Sequence, residues 1–188
     1  MLLPALQQAK AKAMQASCTS NAKQIMLGMH MYAQDNGDRF PGYPGNGGVV
    51  DDWNLATAAP NYLAQVYPYI NDYNVLRCPA TTTQNWNPPD NANDKPNTWC
   101  YNSEMAGATT AIKPPSEKVL LWEEGRLMDC AQWCRWTDGP NQFPQNWNDW
   151  VIPHNDTTYV MPFCDGHVEA MNFLQAHANR QKLADGPF

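Results

Sequence analysis

From Leu2 to about Gln34, apolar residues recur every three or four positions. Leu3, Leu6, Ala9, Ala13 and Ala16 form one stripe, and Cys18, Ala22, Ile25, Met29 and Tyr32 continue it. That spacing predicts a single α-helix about 50 Å long, at about 1.5 Å of rise per residue. Asp35-Asn36-Gly37 stops it, with Gly37 as the left-handed cap. Its halves differ in kind. Residues 22–33 are rich in Met, Ile, Leu and Tyr and suit burial, so Met26, Met29 and Met31 are expected in the core. Residues 7–17 are Ala, Gln and Lys and suit water, as a stalk does. No Ser, Thr, Asp or Asn precedes the first turn to satisfy its N–H groups.

The pattern then becomes irregular. Residues 37–59, rich in Gly, Pro and Asp, predict a loop. Leu63, Val66, Tyr67 and Ile70 predict a short helix, with Pro60 at its start and Pro68 closing or kinking it. Val75-Leu76-Arg77-Cys78-Pro79 suits a brief extended piece, residues 80–97 a surface loop, and Thr98–Tyr101 and Lys118–Trp122 two strands. Residues 124–150 show no clean period and are expected as an ordered loop insertion. Near the end, TTYVMPFC and HVEAMNF flank Asp165-Gly166, the dipeptide of a two-residue hairpin turn. That loop sets Phe163 opposite Val168, Met161 opposite Ala170 and Tyr159 opposite Asn172. Pro162 falls on the other face, which suits an edge or bulged strand. The expected fold is α+β: a long N-terminal helix laid on a small antiparallel sheet, with a C-terminal hairpin and loop-rich insertions. Its parts are a helix over 1–36 and a globular head over 37–188.

At 188 residues the chain suits one such domain with a real core. A net charge of -6 argues against a nucleic-acid surface, which needs clustered Lys and Arg. Only 16% of residues are charged, so amides carry much of the polar surface, as suits an envelope or secreted protein. Six cysteines (Cys18, Cys78, Cys100, Cys130, Cys134, Cys164) form an even set, as in an oxidised secreted chain; they allow about fifteen connectivities. Disulfides are expected ahead of zinc, because the close pair Cys130-x3-Cys134 lacks the spacing of a zinc knuckle. No stretch reaches the roughly 18–20 apolar residues of a membrane span, and the start lacks the order of a signal peptide.

Two segments carry a resemblance. The first holds Leu2-Leu3-Pro4-Ala5-Leu6, Ser17-Cys18, Asn21-Ala22-Lys23-Gln24 and Met31 to Gly37; the second is HNDTTYVMPFCDGHVE, with His154, Asp165, Gly166 and His167. Together with Arg77-Cys78-Pro79 and Tyr101-Asn102, they resemble the type IV pilin-like proteins with a prepilin-type N-terminal methylation motif and a C-terminal His-x9-Asp-Gly motif. Ten residues, not nine, separate His154 from Asp165 here. The resemblance covers both ends and leaves the Trp-rich middle poorly matched. It implies that the helix continues upstream through roughly 20 apolar residues into a membrane, which accounts for the uncapped start. It further implies a non-enzymatic pilin or pseudopilin subunit in the cell envelope. The head would stand outside the cytoplasm, and the partners would be other pilin-like subunits and the membrane.

His154, Asp165 and His167 as a metal or catalytic cluster compete with a plain reading: Asp165-Gly166 is a turn, His154 bonds backbone near the hairpin, and His167 is a strand residue. The plain reading is preferred, since no nucleophile or ligand spacing accompanies them. Asp90 and Asp94, or Asp149 and Asp156, are weak calcium candidates in Asn/Asp-rich loops, and no cofactor is expected otherwise. Trp133, Trp136, Trp147 and Trp150 are candidates for a glycan- or protein-binding surface, whereas Trp53, Trp99 and Trp122 suit the core. Cys18 and Cys78 are the preferred disulfide, tying helix to sheet and adding about 4 kcal/mol through chain entropy. Cys130 and Cys134 are left to pair with each other or with Cys100 and Cys164.

Overall fold

A computed structural model describes residues 2–42, 62–81, 97–102, 105–128, 133–134, 154, 158–172 and 175–176. Helix α1 spans Leu2–Asp35, α2 spans Tyr62–Ile70, and the strands are β1 (Asn97–Asn102), β2 (Leu121–Met128), β3 (Trp133–Cys134), β4 (Thr158–Pro162) and β5 (Val168–Asn172). The architecture is α+β, as the periodicity predicts.

Helix α1 has two environments. From Leu3 to Ser17 its residues are exposed or half-buried, with Leu3 and Leu6 both 67% exposed. From Cys18 onward one face is sealed: Cys18, Ala22, Ile25, Met26, Met29 and Ala33 are all buried. Met31 is the exception to the expected methionine core; at 41% exposure it lies on the outer face. Burial thus follows contact with the rest of the chain and not side-chain size, since the small Cys18 and Ala22 are buried while the large Leu3 and Leu6 are exposed. The helix ends in a Schellman turn: Asp38 N–H reaches back to Ala33 C=O (2.8 Å), and Gly37 takes φ +68° at no steric cost.

Helix α2 lies against α1 at Gly28, where an added Cβ would stand 2.7 Å from Ile70 Cγ1 and 3.2 Å from Val66 Cγ1. The missing side chain is what lets the two helices approach. Pro68 does not close α2, which runs two residues further to Ile70. Val75-Leu76 is not extended as expected. Tyr73–Leu76 forms a 3-10 turn, capped by Asp72, whose side chain accepts from Asn74 N–H (2.9 Å). The local Asx bond wins over strand propensity here.

Sheet order is β2-β1-β3, with β1–β2 antiparallel and β1–β3 parallel, beside a β4-β5 hairpin. The second strand expected at Lys118–Trp122 instead extends to Met128, five residues into the segment expected as loop. Ahead of β2, residues 118–120 pair with β4: Leu120 N–H donates to Pro162 C=O and Cys164 N–H to Lys118 C=O, both at 2.9 Å. So β4, an edge strand of the two-stranded β4-β5 sheet as expected, is covered on its second side at its C-terminal end by residues 118–120. Pro162 is tolerated because on that side its carbonyl alone is used. Tyr159, Val160, Met161, Pro162 and Phe163 are accordingly all buried.

The hairpin register is one residue off the expected pairing. Tyr159 faces Met171, Val160 faces Ala170, Met161 faces Glu169 and Pro162 faces Val168. Phe163 N–H bonds His167 C=O, and Gly166 N–H bonds Phe163 C=O, both at 2.9 Å. Cys164-Asp165-Gly166 is therefore a three-residue loop, with Gly166 at φ +90° supplying the left-handed residue. Tyr62 and Tyr101 join helix and sheet: their rings stack at 5.0 Å, and Tyr62 O–H donates to Trp99 C=O (2.6 Å).

Candidate functional site

Four remote segments converge beneath α1. Cys18 comes from the first buried turn of the helix. Cys78 follows the 3-10 turn and is held by a bond from its own N–H to Thr98 Oγ1 (2.9 Å). Asn21 Nδ2 donates to Arg77 C=O (3.1 Å), fixing the same segment against the helix. The two cysteines form a disulfide across a sequence separation of 60, so the expected pair is present. Trp99 and Trp122 also take the core places expected of them.

Glu123, on β2 opposite Trp99, and His154 complete the cluster. Glu123 Oε2 lies 2.9 Å from His154 Nε2, and both side chains are fully buried. His154 Nε2 is also 3.7 Å from Cys78 Sγ. One ligand-type atom from each of Cys18, Cys78, Glu123 and His154 lies within 4.8 Å of all the others. Burial pushes the Glu123 carboxyl above its ordinary range, while the bond and charge of His154 and the Val160 backbone N–H pull the other way. Glu123 Oε1 and His154 Nδ1 are buried without a hydrogen-bond partner among the described residues.

His154 does bond backbone near the hairpin, its C=O accepting from Thr158 N–H (3.1 Å), and its imidazole in addition partners a buried carboxylate. Glu123 was not singled out by its motif, yet a signal exists. It follows Val119 and Leu121 at strand spacing, so a strand continuing past Trp122 turns it inward.

Asp165, Gly166 and His167 form a separate, more open group. Asp165 Oδ1 accepts from His167 N–H (3.0 Å) and bonds its Nδ1, and the His167 ring stacks on Phe163 at 4.2 Å. Gly166 sits against His30 of α1, whose ring meets Phe40 edge-on at 5.6 Å. Burial lowers the His30 pKa, with Asp165 opposing. Asp165-Gly166 is thus a turn, as its plain reading holds, and His154 serves a different cluster. Cys164 is a buried free thiol, pushed up to about 12 chiefly by burial, so it does not join the pairing left open for it.

Trp133 lies in β3, whose pairing places it beside Tyr101. Trp53, Trp136, Trp147 and Trp150, and the calcium candidates Asp90, Asp94, Asp149 and Asp156, lie outside the described residues. No described helix is long and apolar enough to cross a membrane.

A family model described as "Protein of unknown function (DUF1559)" matches residues 7–118, more than half of the chain, and the chain belongs to that family. The match takes in Cys18 and Cys78 and ends before Glu123 and His154. No curated protein and no solved structure matches the chain significantly.

Proposed function

We propose that the protein is a non-enzymatic, pilin-like envelope subunit, with the head over 37–188 standing outside the cytoplasm and α1 as the element that joins it to other subunits. The observation that carries this is the outer lane of α1. Leu6, Ala9, Ala13, Ala16, Ser20, Lys23 and Leu27 follow one another at alternating steps of three and four, and every one is exposed. Met31 extends the lane. It lies on the side of the helix away from Cys18, Ala22, Ile25 and Met29, which hold the head, so the two stripes expected to run on as one occupy opposite faces. Spacing of this kind, with small residues at most positions, suits close side-by-side packing of parallel helices.

The partner is therefore a second pilin-like chain offering its own α1. Family membership is compatible with this role, and the buried disulfide suits an oxidising compartment. A pseudopilus or a surface filament would use the lane in the same way. The test is to shear cells that natively make the protein and examine the released material by electron microscopy with an antibody to the head. Labelled filaments, or a labelled membrane-attached assembly, are expected. A protein found wholly in the soluble cytosolic fraction contradicts the proposal.

A further inference from the structure

We infer that Cys18, Cys78, Glu123 and His154 form a binding site for a zinc-like divalent metal ion, closed while the disulfide stands and opened when it is reduced. Two thiolates, an imidazole nitrogen and a carboxylate oxygen make a complete four-ligand set for such an ion. In a tetrahedral site with Zn–S about 2.3 Å and Zn–N or Zn–O about 2.0–2.1 Å, neighbouring ligand atoms stand about 3.4–3.8 Å apart. Here His154 Nε2 is 3.7 Å from Cys78 Sγ and 2.9 Å from Glu123 Oε2, and the whole set lies within 4.8 Å. The largest adjustment is separation of the two sulfurs once they are no longer bonded.

The ligands come from α1, the turn before β1, strand β2 and the bridge that pairs His154 with Thr158, so ordinary zinc-motif spacing does not reveal them. All four are buried. The unpartnered Glu123 Oε1 points to the same conclusion: the oxidised pocket holds a carboxylate whose bonding is incomplete among the described residues. A cation placed between Oε2, Nε2 and the sulfurs gives that carboxylate a positive neighbour, which His154, neutral when its Nε2 ligates, does not supply.

The redox step balances with a dithiol as reductant. The dithiol passes two electrons and two protons to the Cys18–Cys78 bond and becomes a disulfide, leaving two protein thiols. On binding the ion each thiol loses its proton to solvent as its metal–sulfur bond forms, and the proton held between His154 Nε2 and Glu123 Oε2 moves to His154 Nδ1 or to solvent, freeing both atoms for the ion. A disulfide sulfur carries no charge and is a poor ligand, which closes the site on oxidation.

The experiment titrates the 188-residue chain with Co2+ under anaerobic conditions, before and after reduction by a phosphine. The reduced chain should develop the near-ultraviolet thiolate-to-cobalt band and the visible bands of a tetrahedral ion; the oxidised chain should not. His154→Gln, checked for folding by circular dichroism, should weaken Co2+ binding about 100-fold or more. In the wild-type reduced chain, Zn2+ should slow alkylation of Cys18 and Cys78 at least about tenfold, read by peptide mass spectrometry. Failure of the bands to appear, full affinity in His154→Gln, or protection that falls on Cys130 and Cys134 instead overturns the inference. The protection readout needs no variant, so it stands even if His154→Gln does not fold.

Discussion

His154 Nε2 sits 2.9 Å from Glu123 Oε2 in a pocket where neither side chain is exposed. Such a pair contributes little net stability over apolar residues of the same volume, but removing one member strands the other. His154→Leu should therefore cost about 3–5 kcal/mol in urea unfolding. Adding Glu123→Met should restore most of that loss. A double variant as unstable as the single would show that the pocket needs these groups for more than mutual compensation.

Gly166 closes the hairpin loop at φ +90°. Gly166→Ala forces an L side chain into a left-handed turn, and its Cβ meets His30 Nε2 at 3.4 Å. A loss of about 1–2 kcal/mol is expected, read as a lower denaturation midpoint with an unchanged m-value. An unaffected midpoint would mean that the loop relaxes to another turn.

The half-buried His30 ring sets a pH dependence. Its pKa is lowered in the folded chain by burial, with Asp165 the charged group that opposes the shift. The unfolded chain then binds more protons, so this contribution is full above the ordinary histidine value of about 6.5 and is lost as pH falls through it. His30→Gln should flatten the fall in unfolding midpoint between about pH 7.5 and about pH 5. Identical slopes in both proteins would remove His30 as the cause.

Cys164, held near 12 by burial beside Asp165, should resist alkylation in the folded chain at about pH 8 and react fully in denaturant. Peptide mass spectrometry after a timed iodoacetamide pulse reads the difference. Equal labelling in both conditions would show that the loop opens readily.

These residues also mark where the sequence was legible. α1 and its Gly37 stop were readable because each half of the helix repeats apolar residues at steps of three and four, although the two stripes, Leu6 to Ala16 and Cys18 to Met29, lie on opposite faces. The hairpin was readable but its register was not. Asp165-Gly166 is equally at home in a two-residue turn and in a loop that begins at Cys164, and shifting by one residue moves Met161 from Ala170 to Glu169. Tyr73–Leu76 escaped because Asp72 supplies a local bond that apolar patterning does not encode.

The Cys18–Cys78 link was anticipated from its ends, whereas Glu123 was hidden by the length of β2. A charged residue after a short apolar run looks like the end of a strand, whereas here the strand carries on past Trp122, pairs Glu123 with Trp99 and sets its carboxylate against His154. His154 was noticed as a motif residue, but its partner comes from another strand, and sequence spacing does not reveal which segments a fold brings together.

The most direct measurement of the assembly role is a cysteine scan along α1 in cells that natively make the protein, treated with a short bismaleimide. Leu6→Cys, Ala13→Cys and Ser20→Cys occupy the outer lane, while Gln8→Cys is exposed on the other side. The lane variants should give ladders of dimers and higher multiples, and Gln8→Cys should remain largely monomeric. Equal cross-linking at all four positions, or none at any, would contradict the account.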